Sequence, residues 1–107
     1  MSEEIAYFDG EFVPAARAAV SVYDTGFVLG ATIAEQLRTF GGKVFRRDEH
    51  LRRLTRSLEI VGVEPGLSTS EMAEIAARVV EHNHALLEEG SDLGLSIFVT
   101  PGPYAAL

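Results

Sequence analysis

Ile33-Ala34-Glu35-Gln36-Leu37-Arg38-Thr39-Phe40-Gly41-Gly42-Lys43-Val44-Phe45-Arg46 is the stretch that decides the fold. Successive side chains of an extended chain point to opposite faces. Ile33, Glu35, Leu37 and Thr39 therefore share one face, and Ala34, Gln36, Arg38 and Phe40 the other, in a strand expected from Ala31 to Phe40. Two adjacent glycines between strand-like runs are a hairpin signal, so a second strand is expected over 43–46. Upstream, Asp9-Gly10 separates Ile5-Ala6-Tyr7-Phe8 from Glu11-Phe12-Val13, a second hairpin. Residues 14–19 read as a connector, Val20-Ser21-Val22 as a short strand, and residues 23–30 as a loop with a local turn.

Downstream the period becomes helical. Asp48 is the expected N-cap, and Leu51, Leu54, Leu58 and Val61 recur at steps of three and four. Gly62 and Glu64-Pro65-Gly66 end that helix. Ser68-Thr69-Ser70-Glu71 is a capping box, and Met72, Ile75, Ala76, Val79 and Val80 carry an apolar face onward, with Gly90 closing the helix near residue 89. Residues 93–100 form a last strand before Pro101-Gly102-Pro103. The fold class is α+β: a mostly antiparallel sheet with two helices packed on it.

Composition narrows the function. The 107 residues suit one small domain. Nine Lys+Arg against 16 Asp+Glu give a net charge of −7, a poor surface for nucleic acid or an anionic membrane. Cysteine is absent, which excludes disulfides and thiolate chemistry. No apolar run approaches the roughly 18–20 residues of a spanning helix, and the acidic start is unlike a signal peptide. The expectation is a cytoplasmic protein that binds neither nucleic acid nor membrane.

Few residues invite chemistry. His82 and His84, two apart on a helix, point to different faces and make no metal pair. His50, one turn before Leu54, reads as a packed or capping side chain. Gly26 and Gly30 make no phosphate fingerprint, and Ser57 and Ser96 have no context for an activated nucleophile. Arg46, Arg47, Arg52, Arg53 and Arg56 cluster in an otherwise acidic chain. Two readings stay open for them. Glu49 is spaced for helix-surface pairs with Arg52 and Arg53, and Arg53 at the border of the buried stripe can fork onto a phosphate.

Five stretches in order resemble the N-terminal domain of the class IV, fold-type IV pyridoxal-phosphate enzymes, which include branched-chain aminotransferases, D-amino-acid aminotransferases and aminodeoxychorismate lyases. Tyr7-Phe8-Asp9-Gly10-Glu11-Phe12-Val13 resembles the opening hairpin, and Asp24-Thr25-Gly26-Phe27-Val28-Leu29-Gly30 the loop that usually reads Asp-x-Gly-Phe-x-Tyr-Gly. Glu35-Gln36-Leu37-Arg38-Thr39-Phe40-Gly41-Gly42-Lys43-Val44-Phe45 resembles the strand–turn–strand that follows. Glu49-His50-Leu51-Arg52-Arg53-Leu54 is similar to the Glu-His-Leu-x-Arg-Leu helix, and Leu95-Ser96-Ile97-Phe98-Val99-Thr100 to the last strand.

The resemblance implies that Arg53 binds the 5′-phosphate of pyridoxal phosphate. It also implies that Leu29, Ala34, Gln36 and Arg38 line the substrate side, with amino acids and 2-oxo acids as substrates and a homodimer or larger as the assembly. Glu35 keeps the family's glutamate with no role assigned, and His50 is a structural family position. Leu29 and Ala34 stand where the family often has aromatic residues, which alters the pocket. The family also binds its cofactor through a lysine in a second, C-terminal domain. The only lysine here, Lys43, falls in a hairpin turn. The expectation is thus that residues 1–102 are an N-terminal small domain and 103–107 the start of the connection to an absent second domain. No catalytic residue and no metal site is expected in this chain, which is inactive alone. A lyase-like activity and a freestanding interaction module are the alternatives.

Overall fold

The computed structural model describes residues 3–104. Asp9 and Gly10 turn the chain with φ of 49° and 97°, closing strands β1 (Ile5–Phe8) and β2 (Glu11–Pro14) into an antiparallel hairpin. Positive φ at both turn positions matches the right-handed twist of the flanking strands. Tyr7 and Phe12 face each other across it, their rings edge to face at 5.2 Å. A 3-10 turn, Ala15–Arg17, follows. The strand expected at Val20-Ser21-Val22 does not form: both valines are exposed and the segment has no ladder partner. The expected local turn is a single helical turn, α1 (Thr25–Val28).

Strand β3 (Ile33–Phe40), two residues shorter than the expected extended run, is the centre of the main sheet. It pairs antiparallel with β4 (Lys43–Val44) and, after the helices, with β5 (Gly94–Val99). The sheet order is β4-β3-β5, and the β1–β2 hairpin is a separate two-stranded sheet. β4 is shorter than expected because, after one more in-register bond from Phe45 N–H to the Arg38 carbonyl, Arg46 adopts a left-handed φ of 53° that leaves the extended path.

That kink starts α2 (Arg47–Val61) two residues earlier than expected, with the N-cap at Arg46 and not at Asp48. Arg46 is the N-cap without a side-chain bond, and Asp48 and Glu49 lie in the first turn, where carboxylates complement the helix dipole. Leu51, Leu54 and Leu58 are buried, whereas Val61 is exposed. At the C-terminus Gly62 N–H bonds to the Glu59 carbonyl and Val63 N–H to that of Leu58, a left-handed cap that folds Val63 onto the core in place of Val61. The capping box forms as expected, with Ser68 and Glu71 reciprocally bonded at 3.0 and 2.8 Å.

Helix α3 (Thr69–His84) ends at His84, not near residue 89. There the chain turns back, through His84 Nε2 bound to the Ser91 carbonyl at 3.1 Å, to deliver Asp92 and β5 to the edge of β3. Helix α2 lies on one face of the main sheet, and α3 packs against α2 and against β1 of the hairpin. Leu51, Leu54, Leu58 and Met72 form the core, with Ile33, Ile97, Val99, Val63 and Leu67 packed on it. Asn83 ties the hairpin to α3: its side chain accepts from Ile5 N–H and donates to the Ile5 carbonyl, both at 2.8 Å.

Candidate functional site

Asp24 is the first positioning device. Its Oδ2 accepts the Gly26 N–H at 2.8 Å, and its Oδ1 accepts the Thr100 hydroxyl at 3.1 Å. Thr25 Oγ1 donates to the Gly102 carbonyl at 2.6 Å, so α1 is sewn to the chain leaving β5. Only glycine fits at position 26: a Cβ there would lie 2.5 Å from Thr100 Cγ2 and 2.6 Å from Thr32 Oγ1. Leu29 follows this knot and is exposed.

The second device is β3 itself. Glu35, Leu37 and Thr39 are buried, Ile33 is half-buried, and the even positions are exposed, as the alternation predicts. Ala34, Gln36 and Arg38 thus share one open face, opposite Phe98, Ser96 and Gly94 of β5. Gln36 Oε1 accepts the Ser96 hydroxyl at 2.6 Å. Arg38 lies over the Phe40 ring at 3.9 Å and donates Nε to the Thr39 carbonyl. Phe98, opposite Ala34 and 66 % exposed, belongs to this wall and was missed in the sequence reading. The period-two alternation of residues 95–100 was the signal that could have placed it there.

On the buried face, Glu35 is the convergence point. Arg53 Nε donates to its Oε2 and Arg53 Nη2 to its Oε1, both at 2.8 Å, while His50 Nδ1 lies 2.7 Å from Oε1. His50 and Arg53, three apart on α2, present the same helix face to the strand. The Glu35 side chain is 5 % exposed and that of Arg53 is 66 % exposed. The Arg53 hydrogen bonds are the largest influence on Glu35; they and the His50 bond outweigh burial and bring its pKa down from 4.5 to about 2. The same pairing raises the Arg53 pKa further.

His50 is half-buried and bonded to Glu35, and does not cap the helix. Glu49 pairs with Arg46 at 2.9 Å, not with Arg52 or Arg53, because the left-handed Arg46 places its guanidinium beside the first helical turn. Among the described residues no hydrogen bond joins Arg53 to Leu29, Ala34, Gln36 or Arg38. Glu35, between Ala34 and Gln36 in the strand, is the physical link.

The other candidates behave as separate features. Lys43 is exposed, on the rim of an open cleft of about 1010 Å³ between the β3–β4 turn and the two helices. That cleft contains none of the candidate site residues. His82 Nε2 contacts the Glu3 carbonyl at 2.7 Å, and no cluster of three potential metal ligands occurs among the described residues. Pro103 bridges to Asp24, and the remainder of the expected connection, 105–107, lies outside the described residues. No helix among the described residues is long and apolar enough to cross a membrane.

Residues 32–106 match the family model for amino-transferase class IV. The chain belongs to the class IV aminotransferase family. A D-alanine aminotransferase of Staphylococcus aureus is 36 % identical over 80 residues, 75 % of this chain and 28 % of the relative. One of Bacillus licheniformis is 30 % identical over 95 residues, covering 89 % of this chain and 32 % of the relative. Among solved structures, the branched-chain aminotransferase of Escherichia coli superposes with a TM-score of 0.81 at 25 % identity, over 94 % of this chain and 34 % of that one. A branched-chain aminotransferase of T.th. with pyridoxamine 5′-phosphate aligns with a TM-score of 0.70 at 25 % identity, over 78 % of this chain and 29 % of that one. The chain therefore spans about 28 % of the length of the staphylococcal class IV aminotransferases.

Proposed function

We propose that this chain supplies the phosphate-anchoring arginine and one wall of the substrate pocket of a pyridoxal-phosphate-dependent aminotransferase. That enzyme moves an amino group between an amino acid and a 2-oxo acid. The observation that carries the reading is the exposed Arg53 guanidinium held by a buried carboxylate. Two of its five N–H groups are taken by Glu35, and three are left for an anion. A planar, permanently charged donor fork suits a phosphate group, so the donor set present fits the cofactor's 5′-phosphate.

The bound cofactor would supply an electrophilic carbonyl and a conjugated ring that accepts electrons from the substrate. The chain's own contribution is binding and orientation. Arg53 holds the anionic end, and Ala34, Gln36, Arg38 and Leu29 shape the side where the substrate lies. Arg38 brings a positive charge to that wall. Ala34 leaves it open.

The amine that captures the cofactor comes from outside this chain, because Lys43 begins β4, just past the Gly41-Gly42 turn, where it is exposed to solvent and apart from every candidate site residue. Residues 1–107 are then inactive alone. The exposed apolar groups Phe27, Leu29 and Phe98 are surfaces for a second domain or a second copy, and the working form proposed is a dimer or larger.

The test is amino transfer by the full-length protein, with D-alanine and branched-chain amino acids as alternative donors, beside Arg53→Ala. Transfer by the parent, together with an affinity loss for pyridoxal phosphate of at least about 1.5 kcal/mol in the variant, is the expected result. No transfer and unchanged affinity would point to a non-catalytic interaction module.

A further inference from the structure

We infer that Glu35 is a positioning residue for Arg53, fixing which edge of the guanidinium meets the anion; the inference rests on the phosphate role proposed for Arg53. A guanidinium carries five N–H donors in one plane. Glu35 occupies the edge formed by Nε and Nη2 with two contacts of 2.8 Å. The covalent geometry of the group then leaves its outer edge free, with one N–H each from Nη1 and Nη2 side by side. Those two donors point away from the carboxylate, in the plane it defines. An incoming phosphate meets a fork whose direction is already set.

Burial is what allows Glu35 to do this. An arginine side chain that is 66 % exposed on a helix would ordinarily sample many rotamers, and ordering it on binding would weaken affinity. Here its partner is 5 % exposed, on the inward face of the central strand, and cannot follow the arginine into solvent. His50 fixes the carboxylate from the preceding helical turn by its contact with Oε1. The torsional freedom of Arg53 is thereby lost during folding and not during binding. The arrangement has an electrostatic cost, because the Glu35 charge offsets part of the attraction between Arg53 and an anion. The geometry is favoured over raw charge.

The test is a double-mutant cycle on the full-length protein, reading affinity for pyridoxal 5′-phosphate and, as a control without the anion, for pyridoxal. Glu35→Gln replaces one acceptor oxygen by an amide that cannot accept from Arg53. It should weaken the phosphate ligand about three- to tenfold and leave pyridoxal unchanged. In an Arg53→Ala background the same substitution should add nothing. Losses that multiply in the double variant would show that Glu35 only supports the fold, overturning the inference. If Arg53→Ala costs affinity but Glu35→Gln does not, the positioning role fails and the phosphate role stands. If Arg53→Ala has no effect, both fail. Should Glu35→Gln not fold, the unaltered protein still decides. The Arg53 Nε–H must exchange slowly with solvent both with and without pyridoxal 5′-phosphate. Free exchange in the cofactor-free protein overturns the proposal.

Discussion

The two faces of β3 use the same backbone for opposite purposes. Glu35, Leu37 and Thr39 are buried, and each inward polar group is matched: Glu35 by Arg53 and His50, and Thr39 Oγ1 by Asp92 Oδ1 at 2.7 Å and by the Leu93 N–H at 3.0 Å. Ala34, Gln36, Arg38 and Phe40 are exposed and make surface contacts: Gln36 with Ser96, Arg38 with the Phe40 ring and, at 4.0 Å, with Asp92, and Phe40 with Phe45. One face therefore carries stability, and the other, which carries little of it, is the one proposed to meet substrate. A buried polar group is retained when its partners are complete, because an unpaired one costs more than the bond contributes. Among the described residues, no buried side-chain nitrogen or oxygen lacks a partner.

Substitutions can break or sharpen this contrast. The largest effect is expected beneath the inward face: Leu54→Ala, at a site with no exposed surface, should lower stability by about 2–5 kcal/mol in chemical denaturation. Glu35→Gln comes next, on the order of 2 kcal/mol at neutral pH, since it removes the buried charge and one of the two acceptor oxygens that Arg53 and His50 share. Its pH dependence has a definite sign. Because the folded pKa is depressed to about 2, the contribution of Glu35 is fully present above its ordinary value of 4.5. It is lost as pH falls from 4.5 toward 2. The variant should show a flatter acid limb over that window, and an unchanged limb would contradict the ion pair.

Thr39→Val should cost about 1–2 kcal/mol by thermal melting, because it deprives Asp92 of a donor and Leu93 of an acceptor while conserving shape. The Asp92 pKa, held low first by the Thr39 bond and then by the Gly42 N–H, should rise in that variant, a shift that NMR titration would read. Gln36→Ala, on the outward face, should change stability by less than about 0.5 kcal/mol. A cost comparable to that of Thr39→Val would mean the two faces are not distinct.

The contrast between faces was legible in the sequence because alternation is a local, period-two property. The capping box at Ser68, the turn at Asp9-Gly10 and the left-handed stop at Gly62 were legible for the same reason: their partners lie within a few residues. The positions that differ were decided by contacts far apart in the chain. Arg53 and Glu35 are 18 residues apart and meet only when α2 lies on β3, so spacing pointed instead to Glu49, which is occupied by Arg46. Val63 replaces Val61 in the core because a cap, not helical periodicity, aims it. The Val20-Ser21-Val22 strand failed because alternation supplies a face but no ladder partner. The β1–β2 hairpin itself was legible from its turn, but its standing apart from the main sheet was not, since its anchor is Asn83 on α3, 78 residues from Ile5.

The most direct measurement of the central claim is a crystal structure of the full-length protein loaded with pyridoxal 5′-phosphate. The account predicts phosphate oxygens at about 2.7–2.9 Å from Arg53 Nη1 and Nη2, with Nε and Nη2 still bound to Glu35. A phosphate bound elsewhere, or an Arg53 that has released Glu35 to reach it, would contradict the account.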